Sequence, residues 1–192
     1  MTRESSRYFG FRIALLVASG ALLAACQTLP ADVAAQRSLV DSYEQQSLEK
    51  LYAADPEAKS KVEGAYGHAV FNVTAVNAVL LVGQEGRGVL VEHGSGKRTY
   101  MKMVRAGTGP GVGYQELAQI IAFKSEAAAD QFKIGGEIGG DVMVSATVGT
   151  SNLQQSVDPL IRYWQINEKG FAIQANWGGA VYMVDPDLNA AP

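Results

Sequence analysis

The chain is short of almost everything that braces or catalyses. One cysteine in 192 residues excludes an intramolecular disulfide, so burial alone must hold the fold. The two histidines, His68 and His93, show neither HxH nor HxxH spacing, which removes the sequence case for a histidine metal centre. Basic residues number 16 against 19 acidic ones. That balance weighs against nucleic acid as a partner, because such binding rests on a basic surface that neutralises phosphates. Long apolar runs are missing too. The run Ile13 to Leu23, broken by Ser19 and Gly20, falls well short of the roughly 20 residues that a membrane-spanning helix needs.

What is present at the start suits export. Arg3, Arg7 and Arg12 precede that short apolar run, and Leu23-Ala24-Ala25-Cys26 closes it. This is the order of a secretory signal ending in a lipobox, with small residues ahead of a cysteine whose thiol takes up a diacylglyceryl group. Residues 1–25 are therefore expected to be a removed signal, Cys26 the lipidated N-terminus and 26–31 a tether. Multiple acyl chains hold a protein stably at a membrane, whereas one chain holds it marginally. Gln27 follows the cysteine where an inner-membrane lipoprotein commonly has Asp, so the expected location is the periplasmic face of a bacterial outer membrane. Losing three Arg and one Glu with the signal leaves 13 basic and 18 acidic residues.

The remaining 167 residues are enough for one domain, expected over 32–188 with a loose tail after it. Apolar residues at helical spacing predict a helix from Asp32 to about Ala54. Asp55-Pro56 starts a second helix that Gly64 or Gly67 ends. Strands are expected near 68–74, 77–83, 87–93, 98–105, 109–114 and 117–123, with Gly94-Ser95-Gly96 as a hairpin loop. Ser125 caps a short helix over about 126–133, which Gly135-Gly136 closes. Further strands are expected near 139–148, 161–167, 171–177 and 180–184, with a Glu168-Lys169-Gly170 turn, a polar loop over 149–159 and a loose 185–192. The class is α+β: N-terminal helices packed on a largely antiparallel, glycine-rich sheet, with curling into a partial barrel left open.

Motifs for chemistry are absent. Gly107-Thr108-Gly109-Pro110-Gly111-Val112-Gly113 lacks the G-x-G-x-x-G spacing of a dinucleotide loop, and Gly96-Lys97-Arg98 lacks the hydroxyl of a P-loop. Alternate glycines share one face of a strand, which predicts close packing of another element against it. No G-x-S-x-G elbow occurs. The expectation is a non-catalytic module with no cofactor and no metal.

The run from Lys97 to Arg105 is the candidate binding surface. In an extended strand Arg98, Tyr100, Lys102 and Val104 share one face, and Lys97, Thr99, Met101, Met103 and Arg105 share the other. Cations around aromatic and thioether groups suit the rim of a phospholipid headgroup layer, giving Lys97, Arg98, Tyr100, Lys102 and Arg105 as candidate lipid contacts. An ordinary solvated strand with extended lysines fits the same residues.

Several segments in order resemble the SYLF domain: Leu51-Tyr52-Ala53-Ala54-Asp55-Pro56-Glu57-Ala58, Gly67-His68-Ala69-Val70-Phe71 and Gly86-Arg87-Gly88-Val89-Leu90-Val91. Gly96-Lys97-Arg98-Thr99-Tyr100-Met101-Lys102-Met103, the 107–113 glycines, Ile121-Ala122-Phe123-Lys124-Ser125, Gly139-Gly140-Asp141-Val142-Met143-Val144-Ser145-Ala146 and Gly170-Phe171-Ala172 continue the series. The resemblance covers about residues 45–188. It implies a lipid-binding module and a phospholipid membrane as partner. Attachment to an envelope protein, with lipid touched only through Cys26, is the alternative.

Overall fold

A computed structural model describes residues 32–134, 137–138, 153–157, 160–174 and 180–190. The expected signal, Cys26, the tether, the strand near 139–148 and the glycine pair 135–136 lie outside the described residues. The elements are α1 (Val33–Ala54), α2 (Pro56–Glu63), β1 (Gly67–Glu92), β2 (Arg98–Phe123), α3 (Glu126–Lys133), β3 (Glu137–Ile138), β4 (Leu153–Val157), β5 (Ile161–Gln174), β6 (Ala180–Val184) and α4 (Pro186–Asn189). The class is α+β, as expected, and the sheet is antiparallel at every pairing described.

Helix boundaries follow the local chemistry. Asp55 accepts from the Glu57 amide and Pro56 takes the first turn of α2, where its missing N–H costs nothing. Ser125 likewise accepts from the Ala128 amide at the start of α3. The C-terminal stretch departs from expectation. Instead of a loose tail, Asp185 caps α4 by accepting from the Asp187 and Leu188 amides, and Leu188 is buried. Within the expected loop 149–159, Leu153–Val157 is a strand paired with β5. Its polar Gln-Gln-Ser sequence hides the strand, since strand propensity is weak at a sheet edge.

The larger difference is strand length. Six short strands were expected where the chain has two of 26 residues each, β1 and β2, joined by the expected loop with Gly96 at φ +67°. Residues 84–86 fall between two expected strands, yet the ladder runs through them. The expected Glu168-Lys169-Gly170 turn is similarly a bulge inside continuous β5: Glu116 pairs with Lys169 and Leu117 with Asn167, leaving Glu168 over.

A flat ladder of this length could not enclose a core, so the hairpin folds over on itself. A Cβ on Gly67 would meet the backbone of Val91 and Glu92, one on Gly88 the Val70 carbonyl, and one on Gly86 the Asn72 carbonyl. The two arms of β1 therefore face each other about a centre near Val79. There the register with β2 slips and Val79 takes φ +62°, a left-handed value that is rare for a β-branched residue. The His93 amide donating to the Tyr66 carbonyl ties the arm ends together at 3.0 Å. Phe71, Val73, Leu90, Met101 and Met103 fill the fold, joined by Phe132 of α3 and Tyr182 of β6. Among the described residues the outer edge of β1 pairs with no further strand, so the sheet is not closed into a barrel. Helices α1 and α2 cover the opposite face through Leu51, Ala58 and Val62, packed on Val70, Ile120, Ala122 and Trp164.

Candidate functional site

The basic run occupies the first third of β2, and its alternation is visible in the fold. Met101 and Met103 point into the core, while Arg98, Tyr100 and Lys102 lie on the other face. That face is covered. Arg98 donates from Nε and Nη2 to Asp41 of α1 (3.1 and 2.9 Å) and from Nη2 to Glu44 (3.0 Å). The Tyr100 hydroxyl donates to Asp41, and Arg37 of α1 lies 5.6 Å from the Tyr100 ring centroid. Lys102 sits 3.1 Å from the buried Asp185 carboxylate and 3.6 Å from Asp187. Arg105 turns inward; its Nε is buried without a hydrogen-bond partner among the described residues. Burial drives the Tyr182 and Tyr163 phenols up, and the Arg105 charge opposes this. Lys97 alone of the five candidates is exposed. Arg98, Tyr100 and Lys102 thus hold α1 and α4 onto the hairpin.

A second polar group was not legible in the sequence. His68 at the start of β1 and His93 beyond its end are 25 positions apart, and folding of the hairpin brings their rings together. His68 Nδ1 and His93 Nε2 are 2.7 Å apart, and His68 Nε2 lies 2.8 Å from Glu44 Oε1. His93 Nδ1 donates to the Ala65 carbonyl at 2.9 Å. Every ring nitrogen is engaged, so neither histidine presents a lone pair to an incoming ligand. Burial opposes ionisation of Glu44, but hydrogen bonds from His68 and Arg98 outweigh it and hold the carboxyl below the usual glutamate range.

The third feature is the outer face of the fold apex. No charged side chain occurs from Ala69 to Gln84 in β1 or from Ala106 to Gln115 in β2. Val76 pairs with Tyr114 and Ala78 with Val112, and these four side chains are exposed. At the apex Val79, Leu80 and Leu81 are 66, 62 and 67% exposed, three large aliphatic residues in succession. Charges return at the rims with Glu85 and Glu116. Water-facing apolar groups are ordinary when scattered, but a contiguous patch with a polar rim marks an interaction surface. No helix among the described residues is long and apolar enough to cross a membrane.

No protein-family model matches the chain. Among known proteins it is similar to Beta cell expansion factor A of Aeromonas veronii, 35% identical over 153 residues. The aligned region is 79% of this chain and 58% of that relative, so the chain spans little more than half the relative's length.

Proposed function

We propose that this chain is a lipid-anchored envelope protein whose sheet domain binds phospholipid membranes through the apex of the folded hairpin. The observation that carries the reading is the uncharged outer face ending in Val79, Leu80 and Leu81. Each large aliphatic side chain gains roughly 1.5–3 kcal/mol on complete removal from water, and charge-free flanking strands spare the surface a desolvation cost on entering the headgroup layer. The resemblance to the SYLF domain supports the same partner. The basic hairpin contributes less in this reading, because Arg98 is occupied by Asp41 and Glu44 and Lys102 by Asp185.

Flotation of the protein with phosphatidylcholine–phosphatidylglycerol vesicles tests the contact. Leu80→Asp with Leu81→Asp should reduce the bound fraction at least about tenfold, since each aspartate replaces a favourable transfer with an unfavourable one. Raising salt should weaken binding little, because the contact is not chiefly ionic. Binding that survives the double substitution, or that vanishes with salt, would overturn the apex as the contact. The anchor is tested separately. Cys26→Ser should abolish the acyl mass in intact-protein mass spectrometry, and a normally processed, acylated Cys26→Ser chain would refute lipidation at that residue.

A further inference from the structure

Apolar exposure in this fold is not confined to Val79, Leu80 and Leu81. Val76, Val112 and Tyr114 are exposed on the first arm and its partner strand, and Ala106 and Thr108 along the second. Val104 and its cross-strand partner, Val181 of β6, continue that second face and are exposed as well. We infer, building on the apex contact proposed above, that the whole distal part of the hairpin enters the hydrocarbon of one membrane leaflet, down to the level of Glu85 and Glu116.

The described helices stop short of this part of the sheet. On the second arm Arg98 donates to Asp41 of α1, and Arg87 donates to Gln36, near the start of that helix, at 2.8 Å. On the first arm Tyr43 reaches the Leu117 carbonyl, and Val70, Ala118 and Ile120 are buried under α1 and α2. The exposed apolar positions begin beyond these contacts. Because Gly86 and Gly88 lie against Asn72 and Val70, heights along the two arms compare directly. Glu85 follows Val79 by six positions, and Glu116 pairs with Thr74, five positions before it. At about 3.3 Å per residue both charges lie roughly 17–20 Å of strand from the apex, and strand tilt shortens that height. The hydrocarbon of one leaflet is about 15 Å thick, half of the bilayer core. Charges thus return on both arms at the depth where headgroups begin.

The interior of the same stretch points the same way. An antiparallel sheet with one face in water turns its polar side chains outward. Here Asn77 and Gln84 face inward with Ala75 and Val82, and all four are buried. Both side-chain polar atoms of Asn77, and Gln84 Oε1, have no hydrogen-bond partner among the described residues. Arg105, the cross-strand partner of Gln84, turns inward beside it. Apolar groups outside and polar groups inside is the alternation of strands immersed in lipid. Nearer the helices Phe71, Leu90 and Met103 point inward, and the order is that of a water-soluble sheet. Tyr114 stands two positions from Glu116 on the apex side and donates to its carboxylate at 3.1 Å. An amphipathic ring there suits the boundary between hydrocarbon and headgroups. Contact through the tip alone leaves Val76, Val104, Val112 and Val181 in water, whereas immersion removes them from it.

Tryptophan emission of the full chain reads the depth, using phosphatidylcholine–phosphatidylglycerol vesicles brominated midway along the acyl chains. Val112→Trp should lose most of its added emission on binding. Asn72→Trp, exposed on the other side of the Glu116 level, should keep its own; the emission of the unaltered chain is subtracted from both. Ala106→Asp puts a charge on the second arm, away from the tip. It should lower the bound fraction about tenfold or more, the scale of moving an acidic side chain into hydrocarbon. Thermal melts establish that each variant is folded. A bound chain whose Val112→Trp emission resists the bromines, or whose binding is indifferent to Ala106→Asp, overturns immersion and leaves the apex contact standing. Failure of the unaltered chain to bind these vesicles overturns both.

Discussion

Gly88→Ala should lower the melting temperature by about 2–12 °C. The added methyl group would overlap the Val70 carbonyl and sit 2.6 Å from a Phe71 ring carbon, closer than real Cβ atoms come. Neither neighbour yields cheaply. The carbonyl belongs to the opposing arm of β1, and Phe71 is fully buried between Phe132 and Tyr182 at ring-centroid distances of 6.2 and 4.9 Å. Overpacking of this kind typically costs 1–3 kcal/mol, and a domain of this size loses roughly 2–4 °C per kcal/mol. Gly83→Ala is the informative control. Nothing lies within 4 Å of a Cβ there, and replacing glycine at a tolerant position is neutral or stabilises by about 0.4–1 kcal/mol through the unfolded chain. Differential scanning calorimetry of the two variants compares a crossing point of the arms with an open glycine in the same strand. Equal melting temperatures would show that the arms do not meet as described.

Glu44→Ala should cost about 3–5 kcal/mol, the usual penalty for removing one partner of a buried ion pair. Glu44 is buried on α1 and accepts from both His68 and Arg98. Its loss leaves His68 with an unanswered ring nitrogen and Arg98 with Asp41 alone. Glu44→Gln should cost less, since the amide oxygen still accepts one hydrogen bond. The same carboxylate gives a pH dependence of definite sign. A hydrogen bond from Lys133, against the opposing effect of burial, also holds Glu92 below the ordinary value of 4.5. Both groups bind a proton less readily in the folded protein than in the unfolded chain. Their stabilisation is therefore complete above about pH 4.5 and is lost as the pH falls through their lowered folded values. Denaturant titrations from pH 7 downward should show stability declining below that point. In Glu44→Gln the decline should be shallower, and an equal slope in both proteins would remove Glu44 from the acid response.

Local features were legible in the sequence because they depend on neighbouring residues. Asp55-Pro56, Ser125 and the Gly94-Ser95-Gly96 loop each set a boundary through contacts within a few positions, and each stands where the pattern puts it. The folding-over of the hairpin was not legible. It depends on Gly88 meeting Val70 and on Val79 accepting φ +62°, neither of which leaves a periodic trace. The basic run was legible as a surface but not as a covered one, since Asp41, Glu44 and Asp185 come from the two ends of the domain. The Glu44–His68–His93 chain escaped for the same reason: its members are brought together by the tertiary fold, not by spacing. Asp185-Pro186 is a helix start of the same kind as Asp55-Pro56, so α4 carried a local signal that the short, polar C-terminus masked.

Asn189 clasps the Tyr100 backbone, donating to its carbonyl and accepting from its amide at 2.7 and 3.0 Å, while Arg37 of α1 donates to the Leu188 and Ala190 carbonyls. The first helix of the domain and its last thus close on the same stretch of β2, across separations of about 90 to 150 positions. A chain emerging in order from a ribosome cannot complete this closure until Leu188, Asn189 and Ala190 are free. Long-range contacts of this kind slow folding because loop-closure entropy is lost before they form. Until then the first helix and Tyr100 lack these partners, and a truncation after Asp187, which removes Leu188 and Asn189, would deny the domain the clasp altogether.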